Sequence, residues 1–409
     1  MKKILVAVDS FKGSMTSIEA GKSIEKGIKS VLSGSQVRVR PVADGGEGTT
    51  EALIYGRDNV HHEECVVTDP LGERCTAAYV TYDSADGKVA VMEMAAAAGL
   101  LLVPVSQRNP MHTTTYGVGE MIRDAIEKGC SRFIIGIGGS ATNDGGIGML
   151  QALGFSCLDA HGHDVPYGAA GLEIIDCIVS PCEKSESDKT FADKLSGCDF
   201  RIACDVTNPL VGELGCSRVF APQKGADAEM VELMDGYMKH YADVVEKTAG
   251  MFDRTTPGAG AAGGIGYAFL MFLGGKLMPG IDIVLSEIGL ESDVEWADTV
   301  ITGEGRIDAQ TMMGKTPSGV AKLAKKHGKY VLAIGGCFGE DAEMCVKAGM
   351  FDECYSVNGV LKIDDGDAEQ IKRAVEHENA MANLERCTSR IVELREKRSR
   401  LVCRPTRLK

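Results

Sequence analysis

Three glycine-rich loops that carry acids follow apolar, strand-like runs in this chain: Val42-Ala43-Asp44-Gly45-Gly46-Glu47-Gly48, Ile135-Gly136-Ile137-Gly138-Gly139-Ser140-Ala141-Thr142-Asn143-Asp144, and Ile301-Thr302-Gly303-Glu304-Gly305-Arg306-Ile307-Asp308. Such loops set bare backbone N–H groups beside carboxylates. A phosphate is held by the first, and a metal ion or an incoming hydroxyl by the second. The combination points to phosphoryl transfer onto a small molecule. Asp44 ends a strand and is followed by two glycines, which leaves its carboxylate open for general-base work, although Asp-Gly is also an ordinary turn. In Asp9-Ser10-Phe11-Lys12-Gly13-Ser14, between a strand and a capped helix, Lys12 and the hydroxyls face the place where α/β proteins bind anions. Asp205 precedes Val206-Thr207-Asn208-Pro209, and Asn208 offers a second contact to a metal or hydroxyl. Hard oxygen donors in so small a number suit Mg2+ held mostly through nucleotide phosphates. In Glu304-Gly305-Arg306-Ile307-Asp308 a guanidinium lies between acids, so Arg306 either pairs with its neighbours or forks onto the carboxylate of a small hydroxy acid.

Two loops match the dinucleotide pattern formally. Gly136 to Ala141 follows a strand and has Asp159 near the position of a ribose-binding acid, but Asn143-Asp144-Gly145-Gly146 interrupts the helix that should start at once. Gly258 to Gly263 has Arg254-Thr255-Thr256-Pro257 where its strand should be. Both still serve as phosphate or carboxylate loops, through Gly138, Gly139, Ser140, Thr142 and Asn143 in one and Gly258, Gly260 and Gly263 in the other. Ala309 to Thr316 is a Walker A loop with its first glycine replaced and its strand too distant. No histidine keeps triad-like company, so serine or cysteine nucleophile chemistry has no support.

The elements needed to position these groups read as two α/β domains. Ile4–Val8 is a buried strand, Thr16 and Glu19 form a capping box before a helix ending at Gly34, and Val37–Val42 is a second strand. This opens an open sheet whose ligands bind at the carboxyl ends of its strands. Cys65–Thr68, Arg74–Tyr82 and Lys88–Met94, separated by turn sequences, form an antiparallel meander and start the second domain. Helices follow at Gly117–Lys128, Gly146–Leu153 and Gly264–Leu273, strands at Phe133–Ile137 and Phe200–Cys204, and a polar surface loop at Pro181–Lys189. Strands at Thr299–Thr302 and Tyr330–Ile334 around a helix at Ser318–His327 repeat the first βαβ pattern. The expected organisation is a Rossmann-like domain from residues 1–62 and 285–380, a second α/β domain from 63–284, and a basic tail at 383–409. That tail carries nine Lys or Arg against three Glu and reads as a solvated helix face with a frayed end.

Composition limits the partners. A formal charge of -14 argues against nucleic acid, so cations for a nucleotide must be gathered locally; Lys12, Lys224, Arg306 and Lys315 are the candidates. The 14 cysteines include no C-x-x-C pair and often lie in apolar runs, as in reduced cytosolic proteins. Neither a secretory leader nor a membrane span is evident, which makes a cytoplasmic location and no membrane partner the expectation. The 50 glycines exceed the usual share of about 7% and belong mainly in loops where backbone approaches a ligand.

Taken together, the chain resembles the type I glycerate kinase family. The resemblance rests on Asp9 to Ser14, Val42 to Gly48, Gly138 to Gly146, Cys204-Asp205-Val206-Thr207-Asn208-Pro209-Leu210, Pro222-Gln223-Lys224-Gly225-Ala226, Pro257 to Gly264, and Thr302 to Asp308 with Gln310-Thr311, in one order from about Ile4 to Val357. It implies ATP-dependent phosphorylation of D-glycerate, at the 2-hydroxyl, by a two-domain protein with its active site in the interdomain cleft. Chemistry laid over those motifs makes Asp44 the base, Lys12 and the glycine loops the phosphate holders, Asp205 the Mg2+ contact, and Arg306 the carboxylate anchor. Asp9, Ser10, Asn208 and Asp308 complete the substrate set, and Glu304 joins the nucleotide set. Phosphorylation at the 3-hydroxyl, a nicotinamide-dependent hydroxy-acid dehydrogenase and a non-catalytic acid-binding module are the alternatives. The protein is expected to be a monomer or a homodimer.

Overall fold

The computed structural model describes residues 2–402 apart from 47, 184–185, 250–253, 340 and 364–367; Glu47 of the first glycine loop and residues 403–409 of the basic tail therefore lie outside the described residues. The chain starts with β1 (Lys3–Val8) and β2 (Gln36–Pro41). It continues through β3 (Val60–Thr68), β4 (Arg74–Ser84), β5 (Gly87–Glu93), β6 (Cys130–Gly136), β7 (Ser156–Asp159), β8 (Ile175–Val179), β9 (Asp199–Ala203) and β10 (Lys276–Met278), and ends with β11 (Thr299–Ile307), β12 (Tyr330–Phe338) and β13 (Glu353–Ser356). Two compact units result: Met1–Tyr55 with Ile281–Lys409, and Gly56–Gly280. The boundaries fall at Tyr55 and Gly280, against the expected 62 and 284.

The first unit is a five-stranded parallel sheet in the order β13-β12-β11-β1-β2. Leu5, Val6, Ala7 and Val8 are fully buried, as a strand covered on both faces requires. Thr16 caps the helix Ser17–Val31 in a reciprocal box with Glu19, and that helix lays Ala20, Ile24 and Ile28 on the sheet. The strand order reverses between β1 and β11. In an open parallel sheet this is the switch point, where the loops leaving two adjacent carboxyl ends diverge and leave a crevice.

The second unit is a six-stranded mixed sheet in the order β10-β9-β6-β5-β4-β3. Its meander is longer than the sequence suggested, because β3 begins at Val60, and it is continuous with parallel strands through the β5–β6 pairing. The 22-residue helix Ala228–Ala249 gave no clear sequence signal, and the polar stretch expected as a loop at 181–189 instead leads into the helix Glu186–Ser196. Its core includes a stacked Phe133–Phe200 pair and a Tyr241–Tyr267 edge contact.

The basic stretch also departs from expectation. His377–Val402 is one helix packed on Ser17–Val31, and Leu384, Cys387, Ile391 and Val392 are buried in the first unit's core. Apolar residues spaced three and four apart supply a core-facing stripe inside a cationic sequence. Among the described residues no helix is long and apolar enough to cross a membrane, and no described cysteine is in a disulfide. Since Ile391 is 1% exposed, Ile391→Ala is expected to destabilise the protein by about 2–5 kcal/mol, read from denaturant unfolding. A loss below about 0.5 kcal/mol would mark the helix as a peripheral strap.

Candidate active site

The switch point of the first unit holds a cavity of about 350 Å³. Its charged lining is Asp9, Lys12, Asp44, Glu304, Arg306 and Lys315. Asp9 follows β1 directly, and its N–H bonds Gly303 O at 2.9 Å, which ties the loop to β11. Phe11 and Met15 then exchange backbone bonds of 2.9 and 3.1 Å, so that exposed Lys12 stands at the tip of a tight loop. Asp44 follows β2, and its Oδ1 accepts the Gly46 N–H at 3.2 Å. Lys315 caps the helix Thr316–Lys326, whose positive end therefore opens on the same space.

The two acids of this group that lie deepest are held by hydroxyls. Asp9, 6% exposed, accepts the Thr316 hydroxyl at 2.5 Å and the Ser10 N–H at 2.6 Å. Burial, with the Asp44 charge adding to it, pushes its carboxyl up to about 6. Glu304, 9% exposed, accepts the Thr311 hydroxyl at 2.7 Å, and burial raises it to about 7 against the opposing effect of Lys315. Near neutral pH both groups sit where a proton is easily taken or given. Arg306 is largely exposed and stands 3.3 Å from Asp308. Asp308 does not line the cavity; it caps the short helix Ala309–Met313 by accepting the Gln310 N–H at 2.9 Å.

The remaining predicted residues lie in the second unit, past the carboxyl ends of β6 and β9. Gly138 and Gly139 are exposed, whereas Ser140, Thr142 and Asn143 are buried. Their loop closes on an internal cation: Lys224, 2% exposed, donates to Ser140 Oγ and to Thr142 O, each at 2.7 Å. Burial lowers the Lys224 ammonium to about 8, against the favourable charges of Cys216 and Asp144. Asp144, fully buried and raised by desolvation, accepts from the Thr115 N–H and hydroxyl at 2.8 Å and from Gly146 N–H at 3.1 Å. Asn143 donates to Ser217 Oγ at 2.9 Å. Two other glycines are fixed by close approach: a Cβ on Gly263 would lie 2.1 Å from Thr142 O, and one on Gly260 2.1 Å from Pro209 O. Gly258 abuts Cys204 and Val206 in the same way, so the three loops at 138–146, 204–210 and 258–264 form one packed assembly.

Asp205 is exposed at its rim, with Oδ1 accepting the Gly280 N–H at 3.0 Å, and Asn208 donates to Leu214 O at 2.8 Å. No group of three or more His, Cys, Asp or Glu among the described residues is placed to hold a metal ion. A rim carboxylate such as Asp205 fits Mg2+ that arrives on phosphates and does not by itself make a protein cage. Neither dinucleotide fingerprint has its geometry: the helix after Gly136–Ala141 begins only at Ile147, and among the described residues no strand leads into Gly258.

A doubly wound sheet with an acid- and cation-lined cavity at its switch point defines a small-molecule-binding α/β protein. The model of the glycerate kinase family matches residues 4–396. A glycerate kinase of Bacillus subtilis is 48% identical over 89% of this chain and 92% of its own length. A glycerate 2-kinase of Escherichia coli is 46% identical over 87% and 90%. A crystal structure of a protein assigned as glycerate kinase 2 from Salmonella typhimurium superposes with a TM-score of 0.82 at 39% identity, covering 98% of this chain and 99% of that one. The chain belongs to the glycerate kinase family, and it is an enzyme, a kinase. The match extends to residue 396, well into the basic stretch, in keeping with the helix packed there.

Sequence reasoning quoted Thr311 and Thr316 only within motifs and gave neither a role, and it named Lys224 only as a loop cation. The sole local signals were Gly314-Lys315-Thr316 before a helix and Pro222-Gln223-Lys224-Gly225. Folded Glu304 keeps its proton up to about pH 7, while the unfolded chain releases it near the ordinary 4.5, so the native state binds more protons in that window and loses stability as pH rises through it. The full effect is up to about 3 kcal/mol. Glu304→Gln, which keeps an acceptor for Thr311, is expected to flatten the fall in Tm between pH 5 and 8 and to exceed the native Tm at pH 8. An unchanged slope would show that Glu304 is already ionised at pH 5.

Proposed function

We propose that the enzyme transfers the γ-phosphoryl group of ATP to the 2-hydroxyl of D-glycerate, giving 2-phosphoglycerate. The observation that carries this reading is the switch-point cavity, which sets Asp9, Asp44 and Glu304 among Lys12, Arg306 and Lys315. A substrate that is an anion and also offers a hydroxyl proton needs this mixture. Arg306 anchors the glycerate carboxylate, and Asp9 and Ser10 orient its hydroxyls. Asp44 accepts the proton as the new O–P bond forms, and Lys12 neutralises charge gathering on the transferred group. The similarity to the glycerate 2-kinase of Escherichia coli favours the 2-hydroxyl over the 3-hydroxyl.

In the second unit, the exposed amides at Gly138 and Gly139 and the loop of Gly258, Gly260 and Gly263 are the phosphate-holding backbone of this reading, stiffened from within by Ser140, Thr142 and Asn143. Asp205 with Asn208 contacts magnesium. Bound Mg2+ supplies charge neutralisation on the phosphates. Glu304 acts on the nucleotide side through its proton, and Asp308 acts indirectly by holding Arg306 at 3.3 Å.

Asp44→Asn is expected to lower kcat by about 10²-fold to 10⁴-fold with little change in ATP affinity. Asp9 is the second candidate base, because its carboxyl at about 6 is well matched to proton transfer. A full kcat in Asp44→Asn together with a collapsed kcat in Asp9→Asn would transfer the role. Arg306→Lys loses the fork and is expected to raise the glycerate KM about tenfold or more; an unaltered KM would leave Arg306 as a partner of Asp308 only. Phosphorus NMR of the product decides the regiochemistry, a resonance coupled to the C2 proton being the expected result.

A further inference from the structure

The lining of the first unit's cavity is of two characters, charged and apolar. Beside those charged groups, its lining includes Phe11, Met15, Val357, Ile371, Val375 and Leu384. Phe11, Met15, Val357 and Leu384 are buried, while Val375 is 45% exposed, so this apolar lobe has a firm floor and an open mouth. Glycerate cannot account for it. A three-carbon acid with two hydroxyls has no apolar face, and water against these side chains is costly.

The floor is also kept clear by backbone. A Cβ on Gly336 would meet Gly305 O at 2.6 Å and lie 3.5 Å from the Phe11 ring, so β11, β12 and the Phe11 loop close up only because no side chain stands there. The uncharged polar groups of the lining include the amides of Asn358 and Asn383. Asn383 is oriented: its Nδ2 donates to Ala374 O at 3.3 Å and its Oδ1 accepts from Arg386 at 2.6 Å. Apolar side chains, amides and cations lining one cavity match a heteroaromatic base joined to phosphates. Carboxamides are also suited to the paired donor and acceptor on the edge of adenine.

Resting on the kinase reading above, we infer that this lobe, floored by Phe11 and Met15 and walled by the helices Ala368–Val375 and His377–Val402, is the seat of the purine base of the phosphoryl donor. The helix expected only as a solvated face thus takes part in nucleotide choice. Its buried stripe holds it to the sheet, and the Ala380–Leu384 turn faces the cavity. At about 350 Å³ the space falls in the range of roughly 300–1,000 Å³ usual for small-molecule sites.

The test uses the full-length enzyme. Ala374→Phe, at a half-buried position on the lobe wall, narrows the slot without altering the charged groups. The expected result is an ATP KM raised at least about tenfold with the glycerate KM within about twofold of the native value. An unchanged ATP KM, or a rise confined to glycerate, overturns the proposal. Photolabelling of the unaltered enzyme with 8-azido-ATP is independent of how that variant folds. Label within residues 357–384, displaced by ATP, supports the lobe, and label elsewhere refutes it. Failure of the underlying kinase reading looks different: unaltered enzyme with ATP and D-glycerate would then form no phosphoglycerate at all.

Discussion

Desolvation of two carboxylates at the carboxyl edge of a parallel sheet is the constraint that organises the first unit. Asp9 and Glu304 lie at the ends of adjacent strands where the sheet order reverses, and neither has water enough to keep its ordinary acidity. An unpaired buried charge is expensive, so each acid has a threonine hydroxyl directed at it, from far along the chain for Asp9 and from seven residues on for Glu304. Lys12 and Arg306 stay exposed and adjustable, with their charges available to an incoming anion. The site thus combines preset acids with adjustable bases, an arrangement suited to receiving one anion and passing a proton.

The second unit solves a similar problem with the opposite sign. A loop rich in glycine is entropically loose, and presenting amides in fixed positions requires that looseness to be removed. Here a buried ammonium clasps the loop from inside through Ser140 and the Thr142 carbonyl, while Asp144 ties its far end to Thr115 and Gly146. Glycines of the neighbouring loops then fit against it at distances no side chain would allow. Conformational freedom in the sequence becomes rigidity in the fold.

How far this could be read in advance depended on the range of each interaction. The opening βαβ was legible because its signals are local: an unbroken apolar strand, a capping box, a periodic helix. The glycine loops after β2 and β6 were legible as loops, whereas Gly303 to Ile307, expected as a third, continues strand β11; the cavity gathers Asp9, Ser10, Lys12, Asp44, Glu304 and Arg306. The hydroxyl on Asp9 comes from a residue 307 positions away, and the ammonium on Ser140 from one 84 positions away, so no local pattern carries either. The last helix was misread for a different cause. Averaging charge over residues 383–409 concealed Leu384, Cys387 and Ile391, whose spacing shows only when the stripe is counted residue by residue.

The discontinuous first unit bears on how the protein is made. β1 has β2 on one flank and β11 on the other, and β11 begins at Thr299. A ribosome releasing this chain from its amino end therefore delivers the whole segment Gly56–Gly280 before the other partner of β1 exists. During that interval the strand Lys3–Val8 carries an open edge and uncovered aliphatic side chains, the condition under which nascent chains recruit chaperones or stick to one another.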